Sequence, residues 1–165
     1  MALPQPAKAA GLSRQYANLL ISRGVLTRQF MVLVDLEERQ HNWGFVSELV
    51  DMYLSDSAAR MRQISGQLLS PSPDFAELER LSIKFSGSSA TFGARGVCEL
   101  LAKLIGWART GDRERCAGVV GRLWAEMQAL EPVLALFVRF DAVRRAPAQA
   151  AAAARELGPA AVVGL

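Results

Sequence analysis

From Tyr16 to Phe140 apolar residues recur at spacings of three and four, and no useful stretch alternates with period two, so the pattern predicts an all-α chain. Tyr16, Leu19, Leu20 and Ile21 predict a short first helix that stops at Gly24, a residue type common just past a helix end. Thr27 opens a second, with Phe30, Leu33, Val34 and Leu36 on its apolar side and an end near Glu38-Arg39-Gln40. Asn42 or Ser47 is the expected cap of a third helix carrying Phe45, Val46, Leu49, Val50, Tyr53 and Leu54, continuing through Met61, Ile64 and Leu68. Ser70-Pro71-Ser72-Pro73 breaks the chain, and a fourth helix starts at Asp74. Gly93 marks its kink or end. A fifth helix runs through Val97, Leu100, Leu101, Leu104 and Trp107 to a turn at Thr110-Gly111-Asp112. The last carries Cys116, Val119, Val120, Leu123, Trp124, Met127 and Leu130, with a bend expected at Pro132 before Leu134, Phe137 and Phe140. Short loops between these six or so helices favour antiparallel neighbours in a bundle. Residues 14–146 are the expected domain, between a flexible N-terminus (1–13) and a mobile, alanine-rich tail (147–165).

With 51% hydrophobic and 21% charged residues, a chain of 165 has apolar material for one ordinary core. The net charge is +3, but basic and acidic residues are interleaved, which argues against a nucleic-acid stripe. The N-terminus has two prolines and no apolar run of signal-peptide type, and the apolar runs fall short of a bilayer span; an intracellular, reducing setting without membrane contact is expected. Cys98 and Cys116 are too far apart for a metal knuckle or redox pair and read as core thiols. The one histidine, His41, reads as a solvated loop residue in Gln40-His41-Asn42-Trp43-Gly44, and no spacing suggests a metal or other cofactor.

The fourth helix concentrates the unusual chemistry. At about 100° per residue, Leu78, Leu81, Phe85 and Phe92 form a stripe to bury, and Ile83 falls nearly opposite, with Gly87 and Ala90 on successive turns of the same face. Gly87 inside a helix costs about 1 kcal/mol relative to alanine, and Ser86, Ser88, Ser89 and Thr91 are weak helix formers. A stable helix alone would not need this. One reading is that small residues allow another helix to pack close, with Ile83 in the core; the other is that a partner approaches an open face.

The run Ile83-Lys84-Phe85-Ser86-Gly87-Ser88-Ser89-Ala90-Thr91-Phe92-Gly93-Ala94 resembles the motif of plant histidine-containing phosphotransfer proteins, His-Gln-x-Lys-Gly-Ser-Ser-x-x-x-Gly-Ala. Gly87, Ser88, Ser89, Gly93 and Ala94 keep their places, while histidine has become Ile83, glutamine Lys84 and lysine Ser86. Gly24-Val25-Leu26 with Gln29-Phe30 is similar to the start of the family's second helix. The stretch from Asn42 through Phe45 to Val50 is similar to the start of its third, and Asp56-Ser57 to its Asp-Ser pair; the likeness covers roughly residues 14 to 140.

The resemblance implies a four-helix bundle, monomeric and both cytoplasmic and nuclear, working in a two-component relay of cytokinin type. It also implies a docking surface for receiver domains of sensor histidine kinases and response regulators, built from Ile83, Lys84, Ser86, Gly87 and Ala90, with Gln29, Leu33 and Leu36 as candidates from the second helix. Ile83 has no lone pair to accept a phosphoryl group, and the neighbouring Lys84 and serines lack an activating base. The expectation is a carrier-like protein that binds receivers without accepting phosphate and dampens signalling, and that is not an enzyme. Two other readings stand beside it: an active carrier using His41, and a helical adaptor that no longer binds receivers.

Overall fold

The computed structural model describes residues 11–156, which form six helices: α1 (Leu12–Ser22), α2 (Arg28–Gln40), α3 (Phe45–Leu69), α4 (Phe75–Phe92), α5 (Arg95–Thr110) and α6 (Arg113–Glu156). The chain is all-α; among the described residues the one β feature is a single antiparallel bridge between Leu26 and Ala94. Helices α3, α4, α5 and α6 pack as a closed four-helix ring, with α1 on α6 and α2 across α3 and α4. The core threads all six, from Ala17 and Phe30 through Met61, Leu78, Phe85 and Leu101 to Leu134 and Phe137.

Aromatic side chains hold α2 onto the bundle. Phe30 meets Phe92 of α4 edge-on at 5.4 Å and Phe137 of α6 at 5.0 Å, while Tyr53 of α3 stacks on Phe92 at 4.2 Å. Such pairs contribute about 0.5–1.5 kcal/mol each beyond their buried area. The start of α2 is also tied to the end of α4. Thr27 caps α2 through its side chain, which accepts from the Gln29 amide, and its own amide donates to the Gly93 carbonyl at 2.8 Å. Gly93 closes α4 at φ 94°, and a Cβ there would stand 3.0 Å from the Phe30 nitrogen. Left-handed backbone and close approach both demand glycine at this point.

Several expectations need correction. Neither Asn42 nor Ser47 caps α3: its N-cap is Gly44, which has no side chain to offer. The cap comes from α2, where the buried Glu37 carboxylate accepts the Val46 amide at 2.9 Å. Leu12 and Ser13, expected in a flexible terminus, begin α1, and Ser13 is buried. At the other end α6 is helical through Pro132 and Pro147 to Glu156, so residues 147–156 of the expected tail continue the last helix. Both prolines are exposed, on a face where the carbonyl each leaves without a donor can be hydrated. The rest of the expected terminal segments, 1–10 and 157–165, lies outside the described residues. Cys116 is buried as expected, whereas Cys98 is half-buried; both are free thiols.

Candidate functional site

Helix α4 turns Leu78, Leu81, Phe85 and Phe92 into the core and leaves Ile83 48% exposed. Asp74 starts the helix, its carboxylate accepting the Glu77 amide at 3.0 Å. Lys84, Gly87 and Ala90 are exposed beside Ile83, and Ser86 is half-buried. A Cβ added at Gly87 would meet nothing within 4 Å. No helix packs against this glycine, so close packing does not account for it, and Ile83 is not a core residue.

The hydroxyls of α4 divide into two kinds. Ser88 and Thr91 donate back to the Phe85 and Gly87 carbonyls within the helix, at 3.0 and 3.1 Å. Ser82 and Ser89 are buried, Ser82 also donating back to the Leu78 carbonyl at 2.7 Å. Ser89 shares a 2.9 Å hydrogen bond with the Tyr53 hydroxyl, and burial, only partly offset by Ser89 and Ser57, pushes the Tyr53 phenol up to about 12. Ser89 therefore fastens α4 to α3 instead of facing a partner. Its place between Phe85 and Phe92, at helical spacing, was the available sequence signal.

The residues that flank Ile83 on α4 include no histidine. The Cys98 thiol lies 4.0 Å from the Ser86 carbonyl, and burial, with the Glu99 carboxylate nearby, raises its pKa and keeps it protonated. His41 sits elsewhere, exposed at the left-handed C-cap of α2 with its ring stacked parallel to Trp43. Its Nδ1 is 2.8 Å from the Glu38 carbonyl, which only accepts, so Nδ1 donates.

Two depressions flank the exposed face of α4 along its seam with α3. Toward the C-terminal end of α4, an apolar groove of about 290 Å³ is lined by Leu33, Leu49, Met52, Tyr53, Thr91 and Phe92 among others. Toward the N-terminal end, a polar notch of about 350 Å³ contains Arg60, Arg80 and Lys84, and Asp56 borders both. Of the α2 candidates, Leu33 lines the groove, Gln29 is exposed on the first turn, and Leu36 is half-buried and lines neither depression. Met52, 56% exposed at the groove, is an apolar surface residue that the sequence reading did not single out. His41 lines neither depression.

The Hpt domain family model matches residues 48–132. The chain is 32% identical over 112 residues to histidine-containing phosphotransfer protein 4 of Arabidopsis thaliana, an overlap of 68% of this chain and 87% of that one. The chain belongs to the plant histidine-containing phosphotransfer, or Hpt, family. It is also 33% identical over 92 residues to protein 2 of that name from Oryza sativa subsp. japonica, covering 54% of this chain and 62% of the relative. Its fold matches histidine-containing phosphotransfer proteins from maize (TM-score 0.75, 20% identity, 81% of this chain and 96% of that one). A Medicago truncatula protein matches too (TM-score 0.70, 22% identity, 78% and 86%). Hpt proteins are phosphocarriers of two-component relays that interact with receiver domains. Here the matched segment, residues 48–132, contains no histidine. Among the described residues no cluster could hold a metal ion, and no helix is long and apolar enough to cross a membrane.

Proposed function

We propose that this Hpt protein docks receiver domains of sensor kinases and response regulators without accepting their phosphoryl group, and so competes with active carriers and dampens the relay. The observation that carries the reading is a single one: in the Hpt segment, where the family motif aligns its histidine with Ile83, an exposed branched hydrocarbon stands beside an open glycine. The shape that admits a partner is kept and the acceptor atom is absent.

An apolar residue at the centre of such a contact favours docking. Full burial of an isoleucine side chain supplies about 1.5–3 kcal/mol of transfer free energy, which a polar imidazole would not match. The groove next to it extends the apolar contact with Leu33, Leu49 and Met52. Ile83, Lys84, Ser86, Gly87 and Ala90, with Gln29, Leu33 and Leu36 of α2, are the proposed contact residues of a monomeric protein.

Titration of a receiver domain with this chain, in competition with an active carrier, tests the proposal. Saturable binding that displaces the carrier is expected. No binding to any receiver, with helical circular dichroism intact, would favour the adaptor reading instead.

A further inference from the structure

The notch between α3 and α4 is more basic than a solvated seam requires. Arg80 is held by Glu77 through two hydrogen bonds at 2.6 and 2.5 Å, which occupies its charge locally. Arg60 faces it from α3 and Lys84 follows it on the next turn of α4, and neither is in an ion pair among the described residues. The Arg60 Nε is buried with no hydrogen-bond partner. One carboxylate, Asp56, borders the notch. Arg60 and Lys84, neither in a salt bridge, therefore share one notch with a single carboxylate, and Arg60 holds a donor lacking an acceptor.

Their placement follows from the substitutions in the motif. Ser86, where the family motif has lysine, lies on the α5 side of α4, its carbonyl against Cys98. Lys84, where the motif has glutamine, lies on the α3 side. The motif's lysine charge is thus missing at Ser86, and Lys84 places a positive charge on the other flank.

We infer that this notch is an anion subsite that reads the phosphoryl group of a docked receiver, so that the protein holds phosphorylated receivers in preference to unphosphorylated ones. This rests on the reading that a receiver covers Ile83. An aspartyl phosphate presents two negative charges and several acceptor oxygens, which suit a guanidinium and an ammonium outside any salt bridge. A docked domain also excludes water from the notch and strengthens the attraction. Preference for the phosphorylated form makes the competitor most effective where phosphoryl groups are in transit.

The test titrates one receiver domain, with and without beryllofluoride and Mg²⁺ as the phosphoryl mimic, against the wild type, Lys84→Gln, Arg60→Gln and their double variant. Beryllofluoride is expected to tighten wild-type binding about tenfold, as a charge-assisted contact would. The preference should shrink in each single variant, vanish in the double variant, persist in Arg60→Lys, and weaken as salt is raised. Equal affinity for both receiver forms, or a preference that survives the double substitution, would overturn the subsite while leaving docking over Ile83 intact. Failure to bind the receiver in either form would overturn both.

Discussion

Ile83 presents its branched side chain on the same exposed face as Gly87, and each residue makes a separate prediction. Truncation by Ile83→Ala removes about 2 kcal/mol of transferable apolar burial, roughly thirtyfold in receiver Kd, with little change in unfolding free energy. Isothermal titration and urea denaturation would separate the two effects. Gly87→Ala should act oppositely on them, stabilising the protein by about 1 kcal/mol through helix propensity and weakening docking by filling the open face. Ile83→His should restore weak phosphoryl acceptance, and adding Ser86→Lys should improve it by returning positive charge to the other flank of α4. A double variant that binds receivers yet never takes label would show that more than the acceptor has been lost. The exposure of Ile83 was legible from periodicity alone, since Leu78, Leu81, Phe85 and Phe92 fix which side of α4 is buried. The burial of Ser89 was harder to read: a hydroxyl suggests solvent until its partner is known, and Tyr53 lies 36 residues away.

At the level of elements, α6 and α2 are joined by buried charge. The Arg144 side chain, 7% exposed, bridges Asp141 of its own helix with Glu37 and Glu38 of α2, and its guanidinium lies over the Trp43 ring. Arg145 also reaches Asp141, at 2.9 Å. Arg144→Met leaves Glu37 and Asp141 buried without this cation and should cost about 3–5 kcal/mol in denaturant unfolding. Desolvation raises the pKa of Glu37, reinforced by Asp141 and opposed by the Val46 amide, Arg144 and Arg145. A carboxyl raised on folding favours the native state below its unfolded pKa and loses that contribution as pH climbs through its folded value. The stability of wild type relative to Glu37→Gln should therefore fall as pH rises above the ordinary carboxylate range, measured by paired unfolding curves. None of this was legible in the sequence. Glu37-Glu38 reads as a solvated helix end, because the arginine that buries it lies 107 residues further on. The cap of α3 was hidden for a different reason: a side chain at the helix start was the natural expectation, and Glu37 of the preceding helix, nine residues before Val46, is the observed one. The breaks at Gly24, Ser70–Pro73, Gly93 and Gly111 were readable because glycine, proline and serine act through local backbone preference. At Pro147, where the sequence reading ended the ordered domain, the helix continues, with the proline on its exposed side.

Across the whole molecule, the bundle supports one composite face: Ile83 and Gly87 at its centre, an apolar groove roofed by α2 toward one end of α4, and a basic notch toward the other. The hydrophobic period and the motif indicated the helix that bears this face. The two depressions could not be read from either, because each joins side chains from separate helices. The central claim is that this face receives a phosphorylated receiver and takes nothing from it. Incubating the wild-type chain with a receiver domain carrying labelled phosphate, under conditions where an active carrier becomes labelled, tests that most directly. The account predicts no acid-labile label on this chain; acid-labile label on the wild type, lost in His41→Gln, would contradict it and establish His41 as a working acceptor.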